Sequence, residues 1–166
     1  MTDNDQGIWR IHDFEVTTDA SQIPRDQLNA MFAQHDFDWA KPLSEQALER
    51  MISGSTCFGI LQHASNTGRH IEQVSQLVGF GRFITDGVTV VYVTDVYVLE
   101  AYRSRGLSKF LLKCMNEYLD TMPDLRGTIM IVKHGSRADT LYRSHFAMHD
   151  LDKESILLDR KGPGAA

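Results

Sequence analysis

Thr94-Asp95-Val96-Tyr97-Val98-Leu99-Glu100-Ala101-Tyr102-Arg103-Ser104-Arg105-Gly106-Leu107-Ser108-Lys109 changes character twice along its length. Its first part, with Val88 to Val93 before it, is β-branched and aromatic and reads as a buried strand ending at Leu99. Its last part opens a helix: Leu107, Phe110, Leu111, Cys114, Met115, Tyr118 and Leu119 recur at helical spacing and form one apolar face. Between them lies a basic turn of small residues, and a turn of that kind at a helix N-terminus is an anion site. The first amides of a helix have no intrahelical acceptor, and the helix dipole adds positive potential, so a pyrophosphate can replace the missing partners. Gly106 lets the main chain approach the phosphates without a Cβ in the way, while Ser104 and Ser108 are compact hydroxyl donors. Arg103, Arg105 and Lys109 supply countercharge.

Working outward, the pattern predicts a first strand over Ile8 to Thr18 and a helix from Pro24 to His35 with Leu28, Met31 and Phe32 inward. Ser44-Glu45-Gln46-Ala47 starts a second helix that Gly54 ends. Thr56 to Gln62 and Val74 to Thr85 are strands around a polar loop from His63 to Arg69. Asp86-Gly87 is a two-residue hairpin signal that makes Val74 to Thr85 and Val88 to Leu99 antiparallel neighbours. Beyond Pro123, Thr128 to Val132 reads as a buried strand and Ala138 to Ser144 as a short helix. Met148 to Leu151 and Ser155 to Leu158 follow as a closing hairpin. Residues 1–6 and 162–166 read as disordered tails.

The bulk numbers bound the answer. A chain of 166 residues with 42% apolar and 23% charged content fits one domain, 1–166, able to bury a continuous core. The formal charge of -5 lacks the basic excess that a nucleic-acid partner requires. No stretch is long and apolar enough to span a bilayer, so the expectation is a cytoplasmic protein without a membrane partner. Cys57 and Cys114 have neither metal nor redox spacing and read as two free buried thiols.

Arg103-Ser104-Arg105-Gly106-Leu107-Ser108 resembles the cofactor motif of the GNAT acyltransferase superfamily, Arg/Gln-x-x-Gly-x-Gly/Ala, with Ser at the last position. Ala138-Asp139-Thr140-Leu141-Tyr142-Arg143-Ser144-His145-Phe146 is similar to a second signature of that family, with His145 where Gly is usual; a left-handed turn at that position costs His more than Gly. The resemblance, to a single-domain microbial branch of the family, also takes in Trp39, Cys57-Phe58-Gly59, Val78 to Arg82 and Thr85-Asp86, and leaves His63 to Gln76 as an apparent insertion. It implies a mixed α/β fold: a mostly antiparallel sheet of six or seven strands flanked by about four helices. It implies acetyl-CoA as cofactor, CoA as product, no metal, and transfer of an acetyl group to a small-molecule or peptide primary amine by direct attack in a ternary complex. The alternative from another class is a degenerate domain that binds CoA without turnover. GNAT domains often pair through sheet edges or C-terminal strands, which makes a homodimer an expectation of the resemblance.

Residue by residue, the resemblance assigns the pantetheine to main-chain groups of Val96, Tyr97 and Val98, on a strand that splays from its neighbour. It assigns the diphosphate to Arg103, Ser104, Arg105, Gly106, Leu107, Ser108 and Lys109. Tyr142 matches the tyrosine read as general acid toward the departing thiolate; its plainer reading is a core tyrosine. Asp95 interrupts an apolar strand, where a carboxylate costs energy unless paired or useful. Proton acceptance from the amine, substrate anchoring, and structural pairing with Arg82 all stay open. Trp39, Arg82 and Asp86 are candidate acceptor-site residues; packing for Trp39, and a cross-strand ion pair for Arg82 and Asp86, are the alternatives. His145 and His149 are four apart, but the helix ends between them, which removes the shared face a metal pair needs. Gly79-x-Gly81 has no helix after it, and His134, Ser136 and Asp139 lack a nucleophile elbow, so neither a dinucleotide fold nor a hydrolase follows.

Overall fold

The computed structural model describes residues 7–63, 75–155, 157, 158 and 160. The expected tails and most of the polar loop after His63 lie outside the described residues, as does Val74, the expected start of the third long strand. Six strands lie in sequence order in one sheet: β1 (Ile8–Ile11), β2 (Phe14–Thr17), β3 (Thr56–Gln62), β4 (Gln76–Thr85), β5 (Val90–Val98) and β6 (Gly127–Met130). Every neighbouring pair is antiparallel except β5 with β6, which is parallel. Helices α1 (Arg25–Phe32) and α2 (Glu45–Ser53) cover one face, and α3 (Leu107–Leu119) and α4 (Arg137–His145) the other. This is the mixed α/β architecture expected, with six strands and four α-helices among the described residues.

Each face has its own apolar cluster. Phe58, Ile60, Phe83, Val91 and Val93 meet Leu107, Leu111, Leu112, Cys114 and Met115 of α3. Phe80, Leu61 and Tyr97 meet Leu28, Met31, Phe32, Leu48 and Ile52 of α1 and α2. Full burial of a Leu or Met side chain is worth roughly 1.5–3 kcal/mol, so docking of the amphipathic faces outweighs the modest propensity of such short helices. Capping defines the ends: the hydroxyl of Ser44 accepts the amide of Ala47 at the start of α2, and that of Ser136 accepts Asp139 at the start of α4. Among the described residues, no helix is long and apolar enough to cross a membrane.

Several elements differ from the sequence expectation. Ile8 to Thr18 is a hairpin rather than one strand, because the chain reverses at His12 (φ 53) and Ile11 pairs Phe14. The β4–β5 connection is longer than a two-residue turn: Thr85 pairs Val91, and the Asp86 carboxylate gathers the amides of Val88, Thr89 and Val90 at 3.0, 2.7 and 3.2 Å. The strand expected over Thr128 to Val132 is an edge strand, with Ile129 42% and Ile131 63% exposed rather than buried. No strand forms at Met148 to Leu151 or in the described part of Ser155 to Leu158, where Asp152 instead holds a turn through Glu154 and Ser155. The left-handed step after α4 falls on Ala147 (φ 49), so His145 is spared the strain expected of it.

Candidate functional site

The ladder between β5 and β6 stops early. Val90 to Val93 pair with Gly127 to Met130, whereas β5 continues to Val98, so its last five residues have no strand on that side among the described residues. Main-chain groups of Thr94 to Val98 on that side are therefore outside the sheet's ladder, and among them the Val98 carbonyl accepts from Arg103 Nε.

A β-bulge lies at the base of this opening. Phe80 pairs Tyr97 and Arg82 pairs Thr94, so Asp95 and Val96 together oppose Gly81. Asp95 takes the left-handed conformation (φ 55), and the inserted residue reverses the side-chain alternation. Before the bulge Val91 and Val93 face α3; after it Val96 and Val98 do, and Tyr97 turns toward α1 and α2. Gly81 fits tightly opposite the bulge: a Cβ there would lie 3.1 Å from the Met115 sulfur and 3.4 Å from Leu111 of α3, so both side chains would have to give way.

Asp95 itself is buried, and its Oδ2 accepts from Arg82 Nε at 2.8 Å, with Nη2 also at 2.8 Å. The remaining carboxylate oxygen accepts from the Thr94 hydroxyl at 3.2 Å, and Arg82 Nη1 donates to the Ser55 hydroxyl at 3.0 Å. Arg82 is thus committed to Asp95 and Ser55, the pairing that the sequence reading set beside the functional one. Asp86 is not brought to this site. It lies beyond the far end of β5, roughly 25 Å from the strand's C-terminal end at about 3.3 Å per residue, with its carboxylate filled by loop amides and the Thr89 hydroxyl. Those hydrogen bonds hold its carboxyl well below the usual range.

Past Val98 the chain makes a short 3-10 turn over Glu100–Tyr102 and enters the basic turn. Ser104 (φ 63) and Gly106 (φ 81) are both left-handed, and α3 begins at Leu107 with no side chain capping it. A Cβ on Gly106 would meet nothing within 4 Å, so the glycine faces open space. Ser104, Arg105 and Lys109 are exposed and Leu107 anchors the helix in the core. Arg103 is not free countercharge. Its Nε donates to the Val98 carbonyl at 3.0 Å, its Nη2 to Asp36 at 2.5 Å, and its guanidinium lies over the Tyr97 ring at 5.2 Å. Arg105 lies over Tyr102 at 5.0 Å.

Asp36, on the α1–α2 connection, also accepts the Tyr97 hydroxyl at 2.6 Å. The tyrosine hydrogen bond and Arg103 hold its carboxyl below the usual range, while burial, followed by this carboxylate, pushes Tyr97 up to about 12. Next along the chain, Phe37 stacks on Tyr97 at 4.8 Å and on Trp39 at 4.4 Å, leaving the indole half exposed beside the end of β5. Sequence reasoning singled out Trp39 but missed Asp36, whose signal is a contact across 61 and 67 residues.

Tyr142 lies on the opposite face, on α4, 8% exposed. Burial alone pushes its phenol up to about 12, and its hydroxyl has no hydrogen-bond partner among the described residues. It borders a cavity of about 270 Å³ shared with Met130, Ile131, Val132 and Met148. That cavity includes no residue of Thr94–Val98 or of the basic turn, so it is a flank of β6 and α4 rather than the opening beside β5.

A parted parallel strand pair, a bulge at its base and an uncapped glycine turn at a helix N-terminus form the frame onto which known proteins map. The acetyltransferase (GNAT) family matches residues 26–146, most of the chain. The chain belongs to that family. A candidate acetyltransferase of Gibberella zeae is 34% identical over 130 residues, covering 74% of this chain and 73% of that protein. The crystal structure of a GNAT-family candidate acetyltransferase from Xanthomonas campestris pv. campestris is 30% identical, with a TM-score of 0.67 over 93% of this chain and 97% of its own. Arabidopsis thaliana NAA60, solved with a bisubstrate analogue, shares the fold at 19% identity and a TM-score of 0.53, over 74% of this chain and 79% of its own. GNAT proteins use acetyl-CoA as co-substrate and act on small-molecule or peptide acceptors, which makes this GNAT chain an acyltransferase.

Proposed function

We propose that this GNAT protein transfers the acetyl group of acetyl-CoA to a primary amine by direct attack in a ternary complex. The observation that carries the reading is the early end of the β5–β6 ladder at Val93 and Met130, which leaves open main-chain groups beside an uncapped helix N-terminus. Pantetheine would add to the exposed side of Val96, Tyr97 and Val98 like an extra strand. The diphosphate would lie on the amides around Gly106, Leu107 and Ser108, with Arg105 and Lys109 adding charge.

In the reaction the amine nitrogen forms a bond to the thioester carbonyl carbon, and an open β5 amide stabilises the developing oxyanion. The C–S bond then breaks; the thiolate takes a proton from Tyr142, which shares an apolar cluster with Val96 and Val98, the new amide nitrogen gives one up to water, and water returns one to the Tyr142 phenolate. Burial pushes this phenol up to about 12, so it is protonated near neutrality but a weaker acid than a free phenol; it serves as donor because the thiolate departing into the same apolar surroundings gains proton affinity too. Asp95 has its carboxylate oxygens engaged by Arg82 and the Thr94 hydroxyl, and its part is to hold the bulge. Trp39 offers the amine an aromatic wall. A covalent enzyme intermediate is disfavoured, because burial pushes the Cys57 thiol up to about 11 and Cys114 up to about 12.

The test is calorimetry with CoA followed by thiol release across polyamines, arylalkylamines, amino sugars and peptide N-termini. Micromolar CoA binding with release on at least one class is expected. Absence of CoA binding at millimolar concentration would overturn the reading, and binding without release on any amine would leave a CoA-binding module instead.

A further inference from the structure

Asp36 joins two parts of the protein that the chain keeps far apart. One carboxylate oxygen accepts the Tyr97 hydroxyl at 2.6 Å near the end of β5, and the other accepts Arg103 Nη2 at 2.5 Å at the first residue of the basic turn. Arg103 then returns to the Val98 carbonyl at 3.0 Å and covers the Tyr97 ring. The segment from Tyr97 to Arg103 is thereby closed into a loop of side chains around one carboxylate, and Phe37 packs the adjoining residue of the α1–α2 connection onto the same tyrosine. A charge-assisted pair that is partly shielded from water constrains geometry more firmly than an exposed one. Asp36 is half-buried, and Arg103 is 38% exposed at its side chain.

The arrangement makes two opposed predictions about anions. If the carboxylate did no more than neutralise Arg103, its removal would release a cation beside the basic turn and tighten the binding of a diphosphate. If it fixes the path of the main chain from Val98 to Gly106, its removal would misplace the amides and weaken binding, although a positive charge is gained. The double engagement of the carboxylate, and of Arg103 with the Val98 main chain, favours the second.

We propose that Asp36 is a positioning residue for the acyl-CoA site, acting through Arg103 and Tyr97 to set the turn that receives the diphosphate. This rests on the acyl-CoA reading above. It also explains why the arginine nearest the turn contributes geometry rather than countercharge, and it ties the Phe37–Trp39 segment to the state of the cofactor turn.

The experiment is CoA titration calorimetry and steady-state kinetics on the full chain as wild type, Asp36→Asn, Arg103→Gln and the double variant, with thermal denaturation of each in the absence of CoA. Asp36→Asn should weaken CoA by about tenfold, the equivalent of one lost charge-assisted hydrogen bond, and raise KM for acetyl-CoA with kcat largely kept. Because one of the carboxylate's two arms runs through the arginine, the double variant should lose clearly less CoA affinity than the sum of the two single losses. Unchanged or tighter CoA binding by Asp36→Asn overturns the proposal, as do additive losses in the double variant. If Asp36→Asn does not fold, Tyr97→Phe removes one of the two donors and is held to the same criterion. A wild type that fails to bind CoA sinks the acyl-CoA reading itself, an outcome distinct from a wild type that binds and variants that bind equally well.

Discussion

Replacing Asp95 by Ala tests the energetics of the bulge. The pair with Arg82 is enclosed, with side-chain exposures of 13% for the arginine and 8% for the aspartate. Removing one member of such a pair strands the other charge at a cost of roughly 3–5 kcal/mol, and the bond from Arg82 to Ser55 places this case at the lower end. A second cost arises from the backbone: Asp tolerates φ 55 better than Ala, by about 1 kcal/mol. Together they amount to about 4 kcal/mol, a large part of the stability of an ordinary domain. For a chain of this length the melting temperature should fall by roughly 8–16 °C. Urea denaturation at constant m-value is the assay. Asp95→Asn, which keeps the backbone preference and one acceptor for Arg82, should lose about half as much. Asp95→Ala with Arg82→Met removes the stranded cation and should be more stable than Asp95→Ala alone by about 1 kcal/mol or more. An Asp95→Ala protein within about 1 kcal/mol of wild type, or a double variant whose losses simply add, would refute the reasoning.

Three further outcomes follow from the same geometry. Gly106→Ala should cost only about 1 kcal/mol in stability, since its Cβ enters open space at φ 81, yet weaken CoA about tenfold or more by standing between the amides and the phosphates; parallel melting and CoA titration separate the two. Tyr142→Phe should leave stability nearly unchanged, because the hydroxyl has no partner to lose among the described residues, and lower kcat at saturating acetyl-CoA by about a hundredfold; unchanged turnover removes Tyr142 from the mechanism. Cys57 and Cys114 are buried with thiols pushed up to about 11 and 12, so a thiol reagent should find almost no reactivity at neutral pH in the folded protein and both thiols in urea.

The stretch from Thr94 to Lys109 was legible because its three parts carry local signals: β-branched residues, a small basic turn and a long apolar period. The α3 face from Leu107 to Leu119 reads directly as the face that packs on the sheet. What sequence reasoning missed has no local signal. The His12 reversal interrupts an alternation that continues on both sides of it, so one strand and a tight hairpin look alike along the chain. The extra residue at Asp95 is invisible to a hydrophobic pattern, because Asp95-Val96-Tyr97-Val98 alternates acceptably in either register. Asp36 acquires its meaning from partners that only the folded chain brings to it. At the carboxyl end, Met148, Leu151 and Leu157 have strand-like composition, yet in the described residues apolar content was not matched by a pairing edge, and composition alone does not select one.

The two-against-one step opposite Gly81 makes β5 one residue longer than the stretch of β4 it spans. Dropping Asp95 would restore regular alternation with Thr94 still opposite Arg82 and Tyr97 still opposite Phe80, so Val96 and Val98 would keep the α3 layer and Tyr97 would keep Asp36 and Phe37; what would go is the left-handed kink and the carboxylate beside Arg82. Loss of two residues is the damaging change, because the strand is then one short: either the downstream side chains exchange layers, or the glycine turn is pulled back along the sheet by about 3 Å. Natural relatives should therefore lose or keep the single extra residue far more readily than they lose two.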